Sequence, residues 1–206
     1  MTAGRARARG RTLPRTFYDR DALELAPELL NKLLVRTGDG PRLAARIVEV
    51  EAYRGADDPG SHSFRRRTPR NATMFGPPGH LYVYFSYGNH WCMNVVSGPG
   101  TQPHAVLLRA AAPLAGVDTM RTRRVAARRD RDLCSGPGRL GQAFGVDRAH
   151  DGLDLVRSEI RIADDGVAPP AEPGVSVRVG LAAGKGEANL YRFYVAGDEN
   201  VSAKPR

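Results

Sequence analysis

The sequence predicts an α+β fold: a single compact mixed domain with a curved, largely antiparallel sheet and peripheral helices. Three observations carry this. Residues 44–53, 81–88, 91–96 and 175–179 read as strands, with alternation at 81–88 and 175–179, yet no repeated strand-then-helix rhythm of the kind that builds a parallel sheet follows them. Glycine (23) and proline (15) are frequent, so the elements are short and the turns many. A chain of 206 residues that is 41% apolar can bury one substantial core. The expected division is a flexible basic arm over 1–15, the folded domain over 16–198 and a short polar tail over 199–206.

Residues 1–11 are polar and aperiodic, as a disordered arm would be. Asp21 and Glu24 have capping-box spacing, and Leu25, Leu29, Leu30, Leu33 and Leu34 then form one helix face that Pro27 interrupts. A turn at 37–41 leads into a strand over 44–53, where Glu49 and Glu51 share one face. Two acids on one strand face need water or a positive partner, and one partner on offer is the arginine cluster that follows. Residues 55–78 are too long and polar for a hairpin turn, which favours a functional loop with short helical turns near Ser61 or Thr68. That loop holds His62, Arg65, Arg66, Arg67, Arg70 and Asn71.

The next two strands make a hairpin over 81–96 turning at Gly88-Asn89. Leu81, Val83 and Phe85 alternate with Tyr82, Tyr84 and Ser86, so one set can face the core while the tyrosines face a cleft. Val106, Leu107 and Leu108 form a strand ending at Arg109; residues 114–129 read as a helix with a basic face; 133–146 read as a glycine-broken loop entering a short helix with Leu140 and Phe144. A polar turn region at 147–156 and a loop over 160–173 follow. Val175, Val177 and Val179 then alternate as a strand, and 191–195 supply the last one.

The formal charge of +9 rests on 28 arginines and three lysines. A guanidinium fork suits phosphate oxygens, which makes a polyanionic partner one source of this bias; a GC-rich coding genome is the other. Several chemistries are not expected. The histidines at 62, 80, 90, 104 and 150 and the two cysteines lack metal-site spacing, the glycine pairs at 98/100 and 136/138 lack a nucleotide fingerprint, and no G-x-S-x-G occurs. No metal and no cofactor is predicted. No lysine lies between Lys32 and Lys185, which disfavours Schiff-base chemistry. No apolar run is long enough to span a bilayer and none follows the basic first residues, so the expectation is an intracellular protein, cytoplasmic or nucleoid-associated.

Glu51-Ala52-Tyr53, His62, Thr68-Pro69-Arg70-Asn71, Met74-Phe75, Tyr82-Val83-Tyr84, Tyr87-Gly88, Cys92-Met93-Asn94, Leu107-Leu108-Arg109, Leu133-Cys134-Ser135-Gly136-Pro137 and Arg192-Phe193-Tyr194 together resemble the alkyladenine (3-methyladenine) DNA glycosylase family over roughly 18–195. The resemblance implies a monofunctional enzyme that binds damaged duplex DNA from the minor groove, flips the lesion and hydrolyses its N-glycosidic bond. Alkylated purines, and hypoxanthine or ethenoadenine, are the implied substrates. Matched residue by residue, Glu51 is the water-activating acid, with His62 and Arg109 around the water. Tyr53, His62 and Tyr84 match the walls around the flipped base, Asn94 the amide that screens against guanine, and Tyr87 the residue inserted into the stack. Arg65, Arg66, Arg67 and Arg70 are candidates for the DNA backbone. His90 stands where vertebrate members carry tyrosine. The expected state is a monomer without membrane contact. The alternatives from other classes are a damaged-DNA binding protein without enzyme activity and an RNA-binding protein whose tyrosines stack single-stranded bases.

Overall fold

Two long strands form the spine of the molecule, and their pairing sets where everything else lies. The computed structural model describes residues 10–38, 40–86, 88–99 and 102–202. In chain order the elements are β1 (Arg11–Thr12), α1 (Arg15–Tyr18), α2 (Ala22–Leu29), β2 (Leu33–Arg36), β3 (Leu43–Tyr53), β4 (Leu81–Ser86), β5 (His90–Ser97), β6 (His104–Ala115), α3 (Val117–Arg123), α4 (Pro137–Phe144), β7 (Ile160–Asp164), β8 (Gly174–Ser176) and β9 (Arg192–Tyr194). The spine is β3 with β6. One edge of β3 pairs along its length with β6, while the other is shared, β2 covering its first half and β9 its second. The sheet therefore runs β1-β7-β2-β3-β6-β5-β4, antiparallel throughout, with β9 and then β8 branching from β3.

Branching and bulges curve this sheet. Ile47 pairs with Ala111, Glu49 with Ala110 and Val50 with Leu108, so Val48 is an extra residue on β3 and Arg109 an extra residue on β6. The second bulge cancels the first and restores the register. A bulged residue escapes the pleat and can be re-aimed, and Arg109 is one.

One face of the sheet carries the core. Ile47, Val50 and Ala52 of β3, Val106 and Leu108 of β6, Met93 and Val95 of β5, and Leu81 and Val83 of β4 pack with Leu25 and Leu29 of α2 and Leu140 and Phe144 of α4. The opposite face holds the alternate residues. The expected α+β class and antiparallel sheet are what the chain forms.

Several local expectations fail for identifiable reasons. Leu33 and Leu34 are not on a helix: Leu30 is already extended, Asn31 takes a positive φ of 64°, and β2 begins two residues later. The capping box at Asp21 is half formed, its side chain accepting from the Leu23 amide at 2.8 Å. The expected helix over 114–129 shrinks to α3, because β6 continues through Ala115 and Gly116, at φ 70°, turns the chain. Residues 160–164 are a strand, not a loop, since both edges of β7 find partners in β1 and β2. The boundary drawn at 15/16 falls inside the fold. Arg11 and Thr12 pair with β7, Leu13 is buried, and Arg15 bonds Asp154 at 2.7 Å. Residues 1–9 lie outside the described residues. The tail boundary also shifts, because Asn200 is buried and Ser202 reaches a carboxylate at the centre of the sheet. Among the described residues no helix is long and apolar enough to cross a membrane.

Candidate active site

The register of four strands assembles a row of side chains on the face away from the core. Glu51 of β3 pairs with Leu107 of β6, Leu107 with Asn94 of β5, and Asn94 with Tyr82 of β4. Two residues along, Tyr53, Cys92 and Tyr84 stand on the same face. Together with Arg109 and His62 these residues line a cleft of about 620 Å³, a size that suits a small organic ligand. Gly136–Arg139 at the start of α4 and Val179–Leu181 after β8 close its sides.

Glu51 is fully buried. Its Oε2 accepts from the Tyr53 hydroxyl at 2.9 Å, and its Oε1 accepts from the Val179 amide at 2.8 Å and lies 3.2 Å from Arg109 Nη1. A carboxylate offers about four acceptor positions, so two hydrogen bonds and one ion pair leave room for a donor from a molecule in the cleft. Its cationic partner is Arg109, not the 65–70 cluster. Arg109 also bonds Glu49 through Nε at 2.8 Å, and Arg192 bonds the same Glu49 oxygen at 2.8 Å. Two acids and two arginines thus balance in a water-poor interior, which is what makes burying them tolerable. Burial opposes ionisation of Glu49, but Arg109, two bonds from Ser202 and Arg192 outweigh it and lower its pKa. Burial works against the Arg109 cation as well, and Glu51 and Glu49 more than restore it.

The aromatic side is built from β4 and the loop between β3 and β4. Tyr82 and Tyr84 stack with centroids 5.6 Å apart, and the His62 ring meets Tyr84 edge-on at 4.5 Å while its Nδ1 lies 3.0 Å from the Tyr82 hydroxyl. Burial, then the neighbouring Cys92, push the Tyr84 phenol up; burial, then Glu51, do the same to Tyr53. Both remain neutral hydrogen-bonding groups. The protein crowded around His62, and secondarily Arg70, lower the imidazole pKa, although the ring keeps an exposed face at the cleft mouth. Asn94 donates from Nδ2 to the Tyr82 carbonyl at 3.2 Å.

The loop between β3 and β4 is held by Asn71, which accepts from the Thr68 amide at 2.6 Å and donates to the carbonyls of His62 and Arg66. Arg70 donates to the Phe85 carbonyl at 3.1 Å and lines the cleft. Arg65, Arg66 and Arg67 are exposed and form no ion pair among the described residues. Arg65, Arg66, Arg70 and Lys185 surround a second hollow beside His62. Tyr87 lies outside the described residues. Among the described residues no three histidine, cysteine, aspartate or glutamate side chains converge as metal ligands would.

Sequence reasoning missed several contributors. Arg178 is buried with Asp58, 2.7 Å from Nη2 to Oδ1, and its guanidinium lies 4.6 Å from the Tyr53 ring centre and 5.1 Å from that of Tyr191. This pair pins the segment that delivers the Val179 amide to Glu51. The alternation at 175–179 is present but inverted: the three valines are exposed while Ser176 and Arg178 point inward. An arginine at the inward positions of a valine ladder was the available signal. Cys92 is buried beside Tyr84 and lines the cleft. Cys92 and Cys134 are both free thiols, and burial pushes the Cys134 thiol up to about 12.

The model of the family described as Methylpurine-DNA glycosylase (MPG) matches residues 16–199. This chain belongs to that family. The span matched by the methylpurine-DNA glycosylase model includes every residue that lines the cleft, from Glu51 to Leu181. Curated relatives agree over nearly the whole chain. A protein of Burkholderia cenocepacia named "Putative 3-methyladenine DNA glycosylase" is 53% identical over 200 residues, covering 96% of this chain and 94% of its own length. Relatives of the same name from Streptomyces avermitilis and Carboxydothermus hydrogenoformans are 47% and 45% identical, covering 92% and 93% of this chain and 90% and 99% of their own.

Proposed function

We propose that this chain is a monofunctional DNA glycosylase that hydrolyses the N-glycosidic bond of alkylated purines, 3-methyladenine among them, in duplex DNA. The observation that carries the reading is Glu51: a fully buried carboxylate fixed by two hydrogen bonds and an arginine ion pair, with acceptor capacity left toward an aromatic-walled cleft. In the proposed reaction that position holds a water. As the bond to the base lengthens, C1′ gains positive character that the Glu51 charge stabilises. The water oxygen bonds to C1′, its proton passes to Glu51, and the electron pair of the broken bond leaves with the base.

The DNA must present C1′ to this carboxylate, which requires flipping the nucleotide from the stack at a cost of about a few kcal/mol, less for a weakened pair. Tyr53, His62 and Tyr84 are the proposed walls around the flipped purine. Neutral, electron-rich rings favour a base that carries the positive charge of alkylation. Such a base departs as a neutral molecule and needs no proton. Hypoxanthine and ethenoadenine are proposed as further substrates; as neutral bases they need protonation on departure, so their release is slower. Asn94 is the proposed screen against guanine and Tyr87 the residue that fills the gap in the stack. Arg65, Arg66, Arg67 and Arg70, at and beside the cleft mouth, are the proposed phosphate contacts of a protein that approaches as a monomer from the minor groove.

The proposed product is an abasic site with an intact backbone. Lys32 is buried against Asp164 at 3.2 Å and Lys185 lines the second hollow and not the cleft, which supports a reaction without a covalent imine. The proposed location is intracellular, with the DNA. The test is single-turnover release across duplexes bearing 3-methyladenine, 7-methylguanine, hypoxanthine or ethenoadenine, scoring free base and strand scission separately. Free base without scission is expected. Tight binding of every lesion with no base released would make this a damage-binding protein.

A further inference from the structure

Resting on the glycosidic reading, we infer that Ser202 and Glu49 are positioning residues that hold Arg109 in place for the Glu51 carboxylate, so that the segment after β9 is part of the catalytic apparatus. Glu49 does not line the cleft and Ser202 lies beyond the span that the family model matches. Their contacts nevertheless converge on one guanidinium. Ser202 donates its amide to Glu49 Oε2 at 2.6 Å and its hydroxyl to Glu49 Oε1 at 2.9 Å, and the same hydroxyl lies 3.2 Å from Arg109 Nη2. Glu49 Oε1 then receives Arg109 Nε at 2.8 Å, and Arg109 Nη1 stands 3.2 Å from Glu51 Oε1.

The arrangement answers a specific problem. Arg109 is the bulged residue of β6, with no residue opposite it on β3, so the strand ladder does not fix its direction. A planar fork becomes rigid only when its nitrogens are held separately. Here Nε is held by Glu49, Nη2 by Ser202 and Nη1 by Glu51. Glu49 in turn needs fixing, because a carboxylate free to rotate would drag the fork with it. Arg192 holds one of its oxygens and the Ser202 amide holds the other. Without the Ser202 bonds, Arg109 can swing toward Glu49 and leave Glu51 with one donor fewer and an altered charge balance at the developing sugar cation.

The test compares full-length S202A, S202P and S202T with the parent. S202A removes the hydroxyl, S202P removes the amide hydrogen as well, and S202T keeps both. Single-turnover release of ethenoadenine measures the chemical step, affinity for a duplex with a tetrahydrofuran abasic analogue measures binding, and solvent exchange of the Arg109 Nε–H, assigned with R109K in 15N-arginine-labelled protein, reports on the fork directly. We expect roughly tenfold slower release and faster Nε–H exchange in S202A, larger changes in S202P, restoration in S202T, and affinity unchanged within about threefold. Parent-like release with parent-like Nε–H protection in S202A and S202P would overturn the inference, as would loss confined to thermal stability. If the parent itself releases no base, the glycosylase reading fails, while the exchange measurement still decides whether Ser202 holds Arg109.

Discussion

Replacing Glu51 with glutamine tests the proposed chemistry with little change of shape. The Val179 amide donates to Oε1 and Arg109 Nη1 lies 3.2 Å from the same oxygen, so the glutamine carbonyl must take that side. Its amino group then meets the Tyr53 oxygen, 2.9 Å from Oε2 in the parent, and the tyrosine changes from donor to acceptor. The packing survives, but the negative charge and the proton acceptor are lost. General-base assistance is worth about 10²–10⁴ in rate, and charge stabilisation at a developing cation is of comparable size; because both act through one oxygen pair they overlap. A loss of about 10³-fold or more, about 4 kcal/mol in barrier height, is expected. Stability should fall too. Glu49, Glu51, Arg109 and Arg192 balance in the parent, and E51Q leaves one excess positive charge, with Arg109 still held by Glu49. That costs about 1–3 kcal/mol. The assay is enzyme-excess release of ethenoadenine under single-turnover conditions, with fluorescence anisotropy for binding and thermal denaturation for stability. Binding unchanged within about threefold alongside the rate loss supports the assignment. Release within tenfold of the parent would refute it.

Other consequences follow from the same geometry. Tyr53→Phe removes the donor to Glu51 Oε2 but keeps the wall, so single-turnover release should slow by about tenfold while lesion affinity holds. The lowered pKa of His62 keeps its ring neutral above the ordinary value of 6.5, so capture of a cationic base should weaken only as pH falls below that; a pH titration of 7-methylguanine duplex binding, flattened in His62→Phe, checks it. Glu49, lowered from 4.5, contributes stability that is complete above that value and lost as pH falls through its folded pKa, so acid denaturation of E49Q should lack part of the parent's slope. Arg178→Met strands the fully buried Asp58 and should cost about 3–5 kcal/mol in urea denaturation, whereas a small loss would show that water reaches Asp58. Substituting Arg65 and Arg66 together by alanine should reduce the slope of log affinity against log salt by about 0.9 for each phosphate contact removed, uniformly across lesions.

Strand period and residue type made much of this protein legible from its sequence. Alternation placed Glu49 with Glu51, and Tyr82 with Tyr84 opposite Leu81 and Val83, because side chains on a pleated strand can go only one way or the other. The motif blocks then pointed to the residues proposed as the acid, the arginine and the aromatic walls. Alternation fixes faces within a strand but not the register between strands distant in sequence. The row Glu51, Leu107, Asn94, Tyr82 is set by the register between strands, which the paired bulges at Val48 and Arg109 leave unchanged. Those bulges also gave Arg109 its double engagement with Glu49 and Glu51. The Val179 amide on Glu51 and the Ser202 amide on Glu49 carry no side-chain signature, since every residue but proline owns such a donor. The sequence named the groups that can do the chemistry; only the folded backbone decided which of them share a proton, a charge or an empty acceptor position.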